Sequence, residues 1–228
     1  MSALPASALA LLLLWGTIVG LDLVSVPQGL LSRPLVSASV AGWLLGDFEA
    51  GLRVGALLEL FALDVLPVGA SRYPEFGPAA VGAAVLAAGL PTMEGTGLGA
   101  LLGLAVALPA GWTLDWLRHA NARHLHRLSA ALNAGSSSAV RQLQWAGIGR
   151  DVARSAGVTA LALALAILVR TQVDATAPLP ALQTPVLIGV GMAAALSGAL
   201  RTAGRGRRLA WLGVGLATGM VAALAMAA

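Results

Sequence analysis

Gly51 to Asp64 reads GLRVGALLELFALD, an apolar run with one carboxylate, Glu59, well inside it. Insertion scales put a charged residue at the centre of a membrane helix at about 2.5–3.5 kcal/mol, so an acid there has either a task or a partner. Gly51, Gly55 and Glu59 are spaced i, i+4, i+8 and share one helical face, which turns the acid toward a protein interface and away from lipid. As a functional group Glu59 marks a binding site; as a structural one it pairs with Arg53 or Arg72, or sits close enough to the membrane surface to be hydrated. A few residues further on, VGASRYPEFGP (68–78) gathers Arg72, Tyr73 and Glu75 in a polar, turn-rich connection. These hydrogen-bonding types suit a sugar or another polyol, and Tyr73 is the single tyrosine of the chain. Without Glu59 nearby, the same stretch would read as a solvated loop.

Other chemistries find less support. His119 and His126 share a helical face, but His124 points about 140° away, so the three do not converge on a metal and read as a solvated helix. There is no nucleophile elbow, no P-loop and no glycine fingerprint behind a strand. Gly95-Thr-Gly-Leu-Gly99 opens an apolar span and reads as the start of a helix. With no cysteine in the chain, disulfide and thiolate chemistry are excluded, and neither metal nor cofactor is expected.

The elements that must position these residues follow from composition. Of 228 residues, 58% are hydrophobic and 11% charged, with a mean hydropathy of +0.84. Soluble domains carry about 25% charge, so the chain reads as an all-α, polytopic integral membrane protein forming one membrane-embedded domain over 1–228. All positive charge is arginine, fourteen against ten acids. These arginines lie between apolar spans, where topology explains them without nucleic acid. Leu4 to Leu21 has no basic residue before it and reads as a retained span, not a signal peptide. Further spans are expected at Leu98 to Leu117, Ser155 to Val169, Pro185 to Leu200 and Leu209 to Ala228. Pro34 to Gly46 and Gly51 to Leu66 are too short and too interrupted by Gly and Pro, the mark of broken or re-entrant helices beside a transport site. Ala38, Gly42 and Gly46 in the first, and Gly51 and Gly55 in the second, offer smooth stripes for close helix packing.

From Arg118 to Arg154 six arginines face only Asp151, which marks a cytoplasmic basic loop. Its first part, Asp115 to Leu132, is expected as an amphipathic helix at the interface, broken by Asn133-Ala-Gly-Ser-Ser-Ser138. Two spans later, Arg201, Arg205, Arg207 and Arg208 return to the same side, leaving the Asp174 to Thr184 loop outside.

Arg33-Pro34-Leu35-Val36, Gly42-Trp-Leu-Leu-Gly46-Asp47, Gly51-Leu-Arg-Val-Gly55-Ala-Leu-Leu58-Glu59, Gly69 and Pro74-Glu75 form an ordered series. In order and spacing it resembles the IIC subunit of the mannose/fructose/sorbose family of the bacterial phosphoenolpyruvate-dependent sugar phosphotransferase system, most clearly from Leu21 to Ala87. Two departures stand out: the family usually has Pro-Asp where this chain has Pro74-Glu75, and more polar residues than Ser25-Val-Pro-Gln-Gly29 before the Arg-Pro pair. The resemblance implies a multi-pass subunit of the bacterial cytoplasmic membrane that joins a IID subunit in an oligomer, binds sugar near the membrane middle and presents it to a cytoplasmic IIB phosphocarrier served by IIA. It implies no phosphorylated or catalytic residue on this chain. Glu59 would then accept from sugar hydroxyls, with Arg72, Tyr73, Glu75 and Gln28 at the site's rim and Arg123, Arg127 and Arg141 docking the phosphocarrier. Membrane lipid is the other partner expected of those arginines. Two alternatives are a secondary transporter or channel using Glu59 as an ion or proton site, and a structural membrane partner whose sugar site has decayed.

Overall fold

The computed structural model describes residues 4–63 and 72–172, with positions 214 and 218. The expected spans at Pro185 to Leu200 and Leu209 to Ala228, the 174–184 loop, the second arginine cluster and Gly69 lie outside the described residues. Among the described residues the fold is helical throughout: α1 (Ala6–Asp22), α2 (Pro34–Leu44), α3 (Phe48–Ala62), α4 (Phe76–Ala87), α5 (Thr92–Asn133) and α6 (Ser137–Gln172).

The ends of these helices follow local chemistry. Pro34 occupies the first turn of α2, where its missing N–H costs nothing. At the other end Gly46 adopts φ +77°, its N–H donates to the Trp43 carbonyl and the Asp47 N–H to the Gly42 carbonyl, the left-handed stop that glycine makes without strain. Asp47 then caps α3, accepting from the Ala50 N–H at 3.1 Å. Thus α2 reverses into α3 within three residues. Gly46 was expected to pack between helices; a Cβ there meets nothing within 4 Å, and its role is to turn the chain.

At 1.5 Å per residue α2 and α3 are about 16 and 22 Å long, short of a roughly 30 Å hydrocarbon core. The glycine stripe lies between them: a Cβ on Gly51 would stand 2.3 Å from the Ala38 carbonyl oxygen, and one on Gly55 2.9 Å from that of Pro34. Gly42 faces the Gly51 backbone across the same seam.

At the centre lies α4, FGPAAVGAAVLA, buried at every position. A helix apolar on all sides has no face to offer water and must be enclosed; α1, α2, α3, α5 and α6 all pack on it. From the sequence no span is expected over residues 79–87, which follow the turn-rich connection of 68–78.

The largest departure concerns α5. The span at Leu98 to Leu117 and the separate interfacial helix at Asp115 to Leu132 are one 42-residue helix. No Gly or Pro interrupts 112–132, so the apolar segment runs into the basic one without a break. Gly135, at φ +75°, and Ser136, whose hydroxyl accepts from the Ala139 N–H, turn the chain into α6. The pair are about 63 and 54 Å long, so both extend far beyond one hydrocarbon core.

Candidate functional site

Glu59 closes the open end of the α2/α3 hairpin. Its Oε1 accepts from Arg33 Nε at 2.6 Å and also from Nη2, and its Oε2 accepts from the Leu35 N–H at 3.1 Å. The acid therefore neutralises a cation and satisfies one of the unpaired amides at the start of α2, where an anion is also favoured by the helix dipole. Neither expected partner engages it. Arg53 pairs with Glu49 at 2.5 Å, one turn away, and Arg72 pairs with Asp115 at 3.2 Å. Arg33 was read from sequence only as the edge of a motif; its position just before a helix-opening proline beside the Glu59-bearing segment was the available signal.

Beside this clasp lies a cavity of about 390 Å³ between the 22–33 segment, the end of α3 and residues 73–77. Its polar lining is Asp22, Gln28, Ser32, Arg33 and Tyr73. Asp22 is buried and fully engaged, accepting from the Gly29 N–H at 2.5 Å and the Ser32 N–H at 2.9 Å. It holds the 22–33 segment in a loop whose exposed Gln28 and half-buried Ser32 border the cavity. Gln28 stands at φ +59° and Leu30 at +66°, a conformation uncommon for such residues that marks a loop bent by its surroundings. The cavity thus offers a carboxamide, a hydroxyl, a guanidinium and a phenol against apolar walls, the mixture that orients a small polar ligand.

Glu75 and Arg72, expected on one rim with Tyr73, go elsewhere. Glu75 is fully buried outside the cavity lining and forms an ion pair with Arg154 of α6. Arg154 also donates to Asp151 Oδ1 through Nε at 2.9 Å and Nη2 at 2.8 Å, to the Gly20 carbonyl at 3.3 Å and to Ser155 at 3.1 Å. Asp151 accepts as well from Ser25. Arg154 was assigned to the basic cytoplasmic segment; its side chain is 2% exposed, and it ties α1, α6 and the residue preceding α4 into one cluster. The Glu75 N–H donates to the Ala107 carbonyl at 2.9 Å, on the turn of α5 that Pro109 interrupts. Pro74 biases Tyr73 to an extended backbone, in which the successive residues Arg72 and Tyr73 point to opposite sides, while Glu75 is held by its ion pair with Arg154.

Arg123, Arg127 and Arg141 are exposed on the far part of the α5/α6 hairpin. The histidines diverge. His119 contacts the Asp115 carbonyl at 2.8 Å, and His124 lies 2.8 Å from Arg150, which also donates to Asn121 at 2.8 Å. His124 is therefore part of the contact between α5 and α6.

Comparison with known proteins bears on this architecture. The fructose permease IIC component of Bacillus subtilis (strain 168) is 30% identical over 126 residues, 55% of this chain and 46% of that protein. The sorbose-specific EIIC component of the Klebsiella pneumoniae PTS is 36% identical over 78 residues, 34% and 27% of the two chains. The aligned part therefore spans less than half the length of these curated relatives. Two solved structures share the fold. One, described as the structure of a membrane protein, has a TM-score of 0.67 at 18% identity and covers 98% of this chain and 92% of its own. The other, the cryo-EM structure of the mannose transporter ManYZ in complex with microcin E492, has a TM-score of 0.62 at 19% identity and covers 96% and 88%. The family pattern of the PTS system sorbose-specific IIC component runs through residues 6–191, a range that takes in α1 to α6, and the chain belongs to that family of membrane proteins.

Proposed function

We propose that this chain is the sugar-translocating IIC subunit of a mannose-family phosphotransferase system, binding a hexose-like sugar in the 390 Å³ cavity. The observation that carries this reading is that Gln28, Ser32, Arg33 and Tyr73 line one half-open cavity next to a short helical hairpin. A neutral polyol needs donors and acceptors without a dominant charge. Gln28 supplies both, Ser32 and Tyr73 supply hydroxyls, and Arg33 enters with its charge already balanced by Glu59. Glu59 acts in this reading through Arg33, since Arg33 and the Leu35 N–H hold both its oxygens. Glu75 and Arg72 belong to the frame.

The subunit would sit as a multi-pass protein in the bacterial cytoplasmic membrane beside a IID subunit, with the α5/α6 hairpin toward the cytoplasm and the IIB carrier. The positive-inside rule supports that side for Arg118, Arg123, Arg127, Arg141 and Arg150. Co-expression with IID and IIB subunits in cells lacking their own hexose phosphotransferase systems tests the assignment. Uptake should require phosphoenolpyruvate and should fall about tenfold or more in Gln28→Ala, because a site built to hydrogen-bond hydroxyls loses strongly when one partner is removed. Uptake driven by an ion gradient without phosphoenolpyruvate would replace this reading with a secondary transporter.

A further inference from the structure

On α5, Leu108, Trp112 and Trp116 recur at i, i+4 and i+8, and each is more than half exposed. His119, Arg123 and Arg127 continue the same helical face and are exposed as well. One outward stripe thus passes from leucine through tryptophan to arginine, the order in which a helix leaves hydrocarbon, crosses the headgroups and enters water. Leucines of two other helices turn outward at about the depth of Leu108. Leu14 of α1 and Leu161 of α6 are also more than half exposed, and the close approach of Gly16 to Thr159, with the hydrogen bond from Arg154 to Thr113, sets the three helices in that register.

A second aromatic edge lies where α2 reverses into α3. Trp43 and Phe48 are more than half exposed there, beside the exposed Glu49. The helices α3 and α5 run parallel, since Gly99 closes on Val54 and Gly103 on Leu58. Phe48 is then level with the start of α5, about 29–35 Å from Trp112 and Trp116 at 1.5 Å per residue. Arg170, the first charged residue of α6 after Arg154, donates to the Val85 carbonyl at 3.3 Å and lies against Gly89, one residue before the Leu90 that packs on Gly95 of α5. Charge therefore returns near the depth of this second edge. The two edges stand apart by about the thickness of a bilayer's hydrocarbon core, roughly 30 Å. Glu59, the residue after Leu58, is level with the residue after Gly103, midway between them.

We propose that acyl chains of the bilayer cover the band between these edges, with headgroups at Trp112 and Trp116 on one face and at Trp43 and Phe48 on the other. A protein partner would cover one side of the molecule; outward leucines on α1, α3, α5 and α6 between two aromatic edges fit a surrounding layer. The α2/α3 hairpin then occupies one half of the bilayer, its turn in the headgroups and its open end, the Arg33–Glu59 clasp, at mid-depth. Charges in that layer pair with one another, as these two do. Beyond Trp116 the rest of α5 stands in water for about 25 Å, together with Trp145 on α6. This placement is independent of what the cavity binds.

The test uses the full-length chain, which has no cysteine, in phospholipid vesicles with a spin label on one introduced cysteine. Leu60→Cys and Leu108→Cys, with native helicity, should show an oxygen-to-nickel-chelate accessibility ratio several-fold above that of Gln142→Cys. Leu52→Cys, nearer the α2/α3 turn, should fall between. A water-like ratio at Leu60 or Leu108, or a lipid-like ratio at Gln142, would overturn the placement. So would low accessibility to both reagents at Leu60 and Leu108, the mark of a second copy or another protein seated there. Fluorescence gives a reading without a label: Trp112→Phe with Trp116→Phe should reduce quenching by phosphatidylcholine brominated near the headgroup, and Trp145→Phe should not. The reverse pattern would move the membrane edge out along the hairpin and overturn the placement too. Sugar binding enters neither measurement, so the sugar reading and this one fail separately.

Discussion

At the residue scale, Glu59 and Glu75 show two ways of keeping an acid inside a membrane protein. Glu59 spends its carboxylate on Arg33 and the first turn of α2, and both partners are partly accessible, at 19% and 33% side-chain exposure. Glu59→Gln should lower sugar uptake by loosening Arg33, and a double-mutant cycle with Arg33→Gln should give a coupling of about 1–2 kcal/mol in unfolding free energy. Uptake at the native rate in Glu59→Gln would leave the clasp as packing alone. Arg154 is the opposite case, a fully enclosed guanidinium serving two carboxylates. Its replacement by Met strands Glu75 and Asp151 without their cation and should cost about 3–5 kcal/mol. Pairing Arg154→Met with Glu75→Gln and Asp151→Asn should recover much of that loss, measured by thermal unfolding in detergent.

At the element scale, the α2/α3 hairpin depends on backbone contact across Gly42, Gly51 and Gly55. Gly51→Ala pushes a methyl into the Ala38 carbonyl, which sits on helix backbone and cannot move aside. A loss of about 1–3 kcal/mol is expected, the range of overpacked sites. Gly46→Ala meets no atoms but must hold φ +77°, which costs about 1–2 kcal/mol through conformation alone. If Gly51→Ala unfolds at the native temperature, the seam is looser than the contacts describe. Since the stripe faces α2 of the same chain, these variants should act first on the subunit's own stability and only through it on assembly.

At the scale of the whole molecule, the α5/α6 hairpin carries the basic surface away from the helices around α4. The chain has no cysteine, so Ser137→Cys provides one unique label at the tip. An impermeant maleimide should modify it in inverted vesicles and not in intact cells; the reverse pattern would invert the topology. Neutralising Arg123, Arg127 and Arg141 together should slow phosphorylation of the sugar, with equilibrium sugar binding unchanged. Docking charges act mainly on encounter rate, so the effect should shrink as salt rises. Phosphorylation kinetics in the triple variant that match the native ones at low and high salt would remove these arginines from docking.

Composition and periodicity determined the helical membrane class, the places of α1, α2 and α3, and the shared face of Gly51, Gly55 and Glu59, because each depends on residues within a few turns of one another. The ordered motifs from Leu21 to Ala87 carried the family. Tertiary structure alone decided which cation meets which acid. Arg33 lies 26 residues from Glu59, and Arg154 79 residues from Glu75; nothing in local spacing ranks them above Arg53 or Arg72. The same holds for α4, a short apolar stretch with no expected span until five helices enclose it, and for Arg154, one basic residue in a run of six until burial separates it from the rest. Charge in a sequence gives the side of the membrane a segment prefers. Only packing determines which of those charges leaves water.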